Sequence, residues 1–192
     1  MTVYQIKPDY RHYQAFMLPT TDLIMRFRRH LSPKEIMHFN AYNLSVREVW
    51  SGVTAKFEPV KGVTESDVTP DITIWIPGVL VLSQRAKNAL EAYLQDKGEL
   101  LSLETPAGTY WAFNCRSVVA PNQEQSDRLV ENGAVIDVLS VSFDEAAIRG
   151  EQVFKTDFDG CRATYCTASF RQHVESAGLE GLVFSSDLVS PF

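Results

Sequence analysis

Two stretches of the chain repeat one pattern, VLSQRAKNALEAYLQDKGELLSLE at Val81 to Glu104 and YCTASFRQHVESAGLEGLVFSSD at Tyr165 to Asp187. Each begins with a few apolar residues, meets a Ser or Thr, continues with a helical period, reaches a glycine and ends in a second apolar run. The order requires a helix joined closely to strands on both sides, twice in one chain. In the first copy Ser83 is placed to cap, its hydroxyl accepting from an orphan N–H of the first turn. Ala86, Ala89, Leu90, Tyr93 and Leu94 then fall at i, i+3, i+4, i+7 and i+8, one apolar stripe of an α-helix. Lys97 suits the C-terminal end of the dipole, and Gly98 reads as a left-handed residue closing the helix. In the second copy Thr167 caps, Phe170, Val174 and Ala177 form the stripe, and Gly178 closes it. The second helix is shorter by about one turn, so its apolar face is kept. LLSLE, the turn Pro106-Ala107-Gly108 and TYWAFNCRSVV follow the first helix as a hairpin. Leu101 and Leu103 share one face of it, and Trp111, Phe113 and Cys115 share another. Each unit has a stripe to bury against a sheet, leaving loops free for recognition. Duplication and convergent use of one motif both account for the echo.

The remaining segments supply further strands. VYQI reads as a short strand ended by Lys7-Pro8-Asp9, and ITIWI as a buried one. Ser32-Pro33 before Lys34-Glu35 predicts a short helix from Pro33 to Phe39. VREVWSGVTAKFEPV alternates loosely and predicts a strand pair broken near Ser51-Gly52. APNQEQSDRLVENG reads as a polar loop, VIDVLSVSF as a strand, DEAAI as a helical turn, and Val153 to Thr156 as another strand. The expectation is an α+β fold, a mostly antiparallel sheet with helices packed on one face. The polar connector KGVTESDVTP marks a boundary, giving an N-terminal portion at 1–69 packed on a main domain at 70–192.

Net charge is uneven. Residues 1–50 hold seven Lys/Arg against four Asp/Glu, whereas residues 51–192 hold eleven against twenty, a balance of −9. That argues against nucleic acid, which needs a basic surface, and suits a basic protein partner. Arg26, Arg28 and Arg29 are a basic cluster that reads first as a solvated face. The start MTVYQIKPDYRHY has no apolar signal region, no run is long enough for a membrane span, and three scattered cysteines do not make a disulfide framework. A cytoplasmic location is the expectation.

No phosphate-binding glycine loop, H-E-x-x-H or G-x-S-x-G is present, so no cofactor is expected. Cys161, Cys166 and His173 have a suggestive zinc spacing but lack a fourth ligand. Cys166 precedes a helix, where a thiolate is stabilised, yet His173 lies about two turns along that helix. Asp157-Phe158-Asp159-Gly160 reads as a tight turn. A hydrolase using Cys166 or clustered carboxylates, and a structural or regulatory interaction module, remain as alternatives.

The order of motifs from Pro70-Asp71 onward resembles a family of bacterial immunity proteins, the one numbered eleven among those of polymorphic toxin systems and formerly a domain of unknown function. The residues that carry the resemblance are Ser83, Arg85, Leu90, Gly98, Tyr110, Asn114, Ser126, Phe154, Thr167, Gly178, Leu179, Gly181 and Phe184. It spans about residues 70–187; the Leu-x-Gly-Leu-x-Phe ending is moderately specific, and the whole order carries more than any one piece. The chain departs at Pro121-Asn122, where Leu-Asp is usual, and at Thr167, where Ser is usual. The resemblance implies a non-enzymatic protein that neutralises one cognate toxin by occlusion, a toxin of the kind delivered by type VI secretion. A nuclease with a basic active site is one such partner. The acidic loops would then carry contact residues: Glu124, Asp127 and Glu131 in one, Asp157 and Asp159 in the other.

Overall fold

The computed structural model describes residues 2–189. Its elements run β1 (Val3–Pro8), β2 (Ala15–Met17), α1 (Thr20–Phe27), α2 (Pro33–His38), β3 (Lys56–Glu58), β4 (Ile72–Ile76) and β5 (Val79–Ser83). Then come α3 (Gln84–Leu94), β6 (Gly98–Thr105), β7 (Gly108–Cys115), β8 (Asp127–Glu131) and β9 (Ala134–Ser140). The chain ends with β10 (Val153–Phe154), a 3-10 turn (Asp157–Asp159), β11 (Tyr165–Thr167), α4 (Ala168–Ser176) and β12 (Leu182–Ser185). Among the described residues the fold is α+β, with antiparallel sheets and four α-helices.

Two four-stranded sheets have the same topology. Sheet I has the order β4-β5-β7-β6 and sheet II the order β10-β11-β1-β12, with every pairing antiparallel. In sheet I, α3 joins β5 to β6 with β7 between them. In sheet II, α4 joins β11 to β12 with β1 between them. The two echoing stretches therefore occupy equivalent places, and the N-terminal strand does for sheet II what the hairpin partner β7 does for sheet I. Both caps form: the Ser83 hydroxyl accepts from the Ala86 N–H at 3.1 Å, and that of Thr167 from the Phe170 N–H at 3.4 Å.

Alternation along the strands separates three cores. Leu80 and Leu82 of β5, with Phe113 and Cys115 of β7, face the helices. There they meet Leu90 and Leu94 of α3, Phe170 and Val174 of α4, and Ile6 of β1 in a single core under both helices. Val79 and Val81, with Leu101, Leu103 and Ala112, face the other way. That second core is closed by Phe16, Leu23, Phe27, Ile36 and Trp50 from the segment between β1 and β4. The outer face of sheet II carries a third core, in which Phe154 and Tyr165 meet Val119, Val141 and Ile148 from the segment between β7 and β10. Each long connection thus leaves the central strand of one sheet and covers the outer face of the other. Burying each such aliphatic or aromatic side chain contributes roughly 1.5–3 kcal/mol.

Three local expectations are corrected. Residues 46–60 do not form a strand pair: turns carry Val46 and Trp50 inward, the Trp50 indole N–H donates to the Ser102 carbonyl at 2.9 Å, Thr54 makes a single parallel bridge to Glu104, and β3 pairs with β2. Gly98 is not left-handed; α3 ends at Leu94, and Gly98 opens β6 where a Cβ would lie 2.3 Å from the Asn114 carbonyl. The run read as a polar loop holds β8. Helix α1 lay outside the expectations altogether, whereas α2 forms as expected with a capping box between Ser32 and Glu35.

The two sheets meet where the N–H groups of Asp71 and Ile72 donate to the Glu180 carbonyl at 2.9 and 3.1 Å. Gly181 has φ 118°, and a Cβ there would sit 2.4 Å from the Ile72 carbonyl, so the approach requires glycine. Lys155, fully buried, follows β10 and donates to the Asn40 carbonyl and, at 3.3 Å, to the Asn43 side chain, clipping the N-terminal segment to sheet II. Burial lowers its pKa.

Candidate interaction surface

The hairpin β8–β9 belongs to neither sheet. Its turn is Asn132-Gly133, with φ 51° and 80°, the positive values that a two-residue hairpin turn demands. Register shifts at two places make the ribbon irregular and leave Ile136 and Leu139 outside the cross-strand pairs. A two-stranded hairpin is marginal alone in water, so this one depends on its anchors. The Arg128 guanidinium lies 4.5 Å from the Phe158 ring and donates to the Phe158 carbonyl at 2.6 Å. Arg162 donates to the Val135 carbonyl, and Val138 packs on the third core.

What the ribbon presents outward is apolar. Leu129, Val130, Ile136 and Leu139 are each 49% to 53% exposed. Asp127, Glu131 and Asp137 stand exposed among them. Four large aliphatic side chains left half exposed on one ribbon, with carboxylates among them, are a feature of interaction sites. A groove of about 400 Å³ runs at the root of the ribbon, lined by Val118, Pro121, Arg128, Asp157 and Phe158.

The expected contact residues divide. Glu124 is exposed in the turn before β8, its N–H donating to the Asn122 side-chain oxygen at 3.0 Å. Asp127 and Glu131 are the first and last residues of β8. Asp157 is exposed beside the same ribbon, where its carbonyl accepts from Arg128 at 3.4 Å. Asp159 is different. It is buried, and its carboxylate accepts from the Tyr165 hydroxyl at 2.9 Å and from the N–H groups of Arg162 and Ala163 at 3.1 and 3.2 Å. Desolvation raises its pKa, opposed by those hydrogen bonds. Its place is inside the fold. Sequence reasoning passed over Leu129, Val130, Ile136, Leu139 and Asp137, though Asn132-Gly133 between two apolar runs is a hairpin signal.

Arg26, Arg28 and Arg29 lie exposed at the C-terminal end of α1, with Arg26 donating to the Ser51 carbonyl at 3.0 Å. Cys115, Cys161 and Cys166 are free and buried. Burial pushes Cys115 up to about 11 and Cys161 to about 12, and it raises Cys166 further. A buried thiol held protonated is a poor nucleophile. His173 is stacked on Tyr93, with ring centroids 3.7 Å apart. Among the described residues no three His, Cys, Asp or Glu side chains converge on a common point, and no helix is long and apolar enough to cross a membrane. Neither a family model nor a curated protein matches the chain.

Proposed function

We propose that this protein is a stoichiometric binding module, an immunity protein that occludes a cognate toxin through the β8–β9 ribbon. The observation that supports the reading is the set of four half-exposed aliphatic residues carried, with Asp127, Glu131 and Asp137, on one anchored arm. Removing exposed apolar side chains from water favours association, while peripheral carboxylates steer a basic partner and speed the encounter. Glu124 and Asp157 extend the acidic rim. The resemblance to the immunity family supplies the class of partner, and a toxin with a basic active site, such as a nuclease, matches the charge. The burial of Cys166 leaves the hydrolase alternative without an exposed thiol.

Co-expression with a toxin encoded beside the gene tests the reading through rescue of growth and recovery of a stable complex. Reversing the charges of Glu124, Asp127, Glu131, Asp137 and Asp157 is expected to slow association and flatten its salt dependence. The fold should be retained, because exposed substitutions away from anchors shift stability by about 0.5 kcal/mol or less. A complex whose on-rate ignores all five changes places the interface elsewhere, with Arg26, Arg28 and Arg29 next in line. Absence of both rescue and complex refutes the reading.

A further inference from the structure

We infer that the cleft at the seam of the two sheets is a binding site for a small organic anion with a flat apolar body, such as an aromatic carboxylate. The cleft holds about 390 Å³ between β1, the β4–β5 turn and the residues just before β11. That volume suits a small ligand, and junctions between structural units are where such sites concentrate.

The lining takes in consecutive residues of β1, Gln5 to Pro8, and of β4 and the turn after it, Ile74 to Pro77, where the register of β4 shifts between Ile74 and Ile76. Trp75, Ile76 and Pro77 form an apolar wall. The Trp75 ring is wedged against Phe16 at 6.0 Å and Phe39 at 5.9 Å between centroids, so the wall is set before any ligand arrives. Lys7 and Arg162 are the cations among its lining residues, and no carboxylate is among them, although the chain as a whole carries −6. Arg162 is held in place by carbonyl groups: its Nε donates to Asp159 at 3.0 Å and its Nη2 to Val135. Those bonds fix the guanidinium without neutralising it. Neither cation forms an ion pair among the described residues.

A wider groove of about 590 Å³ beside α1 shows the contrast. It combines Asp22 and Glu104 with Lys56, and Lys56 is already paired with Glu58, so it offers no charge preference. In the seam cleft a carboxylate would meet two cations that no ion pair neutralises, with its apolar body against the Trp75–Pro77 wall, and charge-assisted hydrogen bonds are the stronger kind.

The test is calorimetric titration of the full chain with indole-3-carboxylate, with the neutral isostere indole-3-carboxamide and with acetate. The carboxylate is expected to bind saturably at one site, with the amide about tenfold weaker and acetate without measurable binding. Lys7→Met is expected to weaken the carboxylate about tenfold and to leave the amide unchanged. Carboxylate that fails to saturate, or an amide that binds equally, overturns the inference. So does a folded Lys7→Met chain that binds the carboxylate as the wild type does. The carboxylate–amide comparison uses the wild-type chain, so it decides the matter even if the variant fails to fold.

Discussion

Replacing Leu90 by alanine probes the core that the two helices share. Leu90 has no exposed surface and lies in the cluster that α3 and α4 share. The change removes three carbons, worth about 2.4 kcal/mol of transfer at about 0.8 kcal/mol each. Incomplete collapse of the surroundings adds up to about 2 kcal/mol for the cavity, so the expected loss is about 2.5–4.5 kcal/mol. Helix propensity opposes this by only a few tenths of a kcal/mol, since alanine and leucine are both strong formers. Tyr93 on the same helix is the control. It is 41% exposed and its main partner is the stacked His173 ring, so Tyr93→Ala should cost about 0.5–1.5 kcal/mol. Urea unfolding followed by far-ultraviolet circular dichroism and by tryptophan fluorescence measures both. Trp50 and Trp75 report on sheet I and its cover, whereas the dichroism reports on the whole chain. One core under both sheets requires the two signals to move together. A loss below about 1 kcal/mol for Leu90→Ala, or separated transitions, refutes the reasoning.

Gly98→Ala places a Cβ against the Asn114 carbonyl and the Phe113 ring; a loss of about 1–3 kcal/mol is expected in the same urea assay. The thiols of Cys115, Cys161 and Cys166 should resist a thiol reagent in the native protein and all three react in urea, which a colorimetric titration counts. Because burial raises the pKa of Asp159, the folded chain keeps this proton to higher pH than the unfolded chain. Its contribution is then fully present below the ordinary aspartate value of about 4 and declines as pH rises through the raised one. Stability of the wild type relative to Asp159→Asn should therefore fall across that interval, and a flat difference in unfolding experiments from acid to neutral pH refutes the assignment. Ser32→Ala should cost about 1 kcal/mol, read by urea unfolding, through loss of the capping box on α2.

Local periodicity made the helices and hairpins around α3 and α4 readable, because each stripe meets a single flat surface and its cap lies within three residues. The strand reading of residues 46–60 failed for the opposite reason. Val46, Trp50 and Val53 are buried by turns that hook onto sheet I, and the spacing of buried residues in such a hook follows neither the period of two nor that of 3.6. Helix α1 escaped notice because Leu23 and Phe27, its two buried positions, sit among arginines and an exposed methionine. Asp159 illustrates a further limit. Its carboxylate is inside because Tyr165 and two backbone N–H groups receive it there, and a turn-like sequence contains no sign of such partners. The seam cleft was equally invisible, since Lys7, Trp75 and Arg162 come together only when β1 enters a sheet made otherwise of strands from the other end of the chain.

That placement of β1 has a kinetic side. On the ribosome, sheet I can close as soon as β7 has emerged, for all its strands are consecutive in the chain. Sheet II cannot. Its β1 strand has edges for both β11 and β12, and Pro8 pairs with Leu182. At ordinary elongation rates the interval between them is roughly 10–35 s. Throughout that interval a short apolar strand is tethered to a half-built protein with both hydrogen-bonding edges unsatisfied, open to any other extended chain nearby. Sheet II is consequently completed last. Slow translation between β7 and β11 lengthens that exposure, and a chaperone that shelters β1 shortens it.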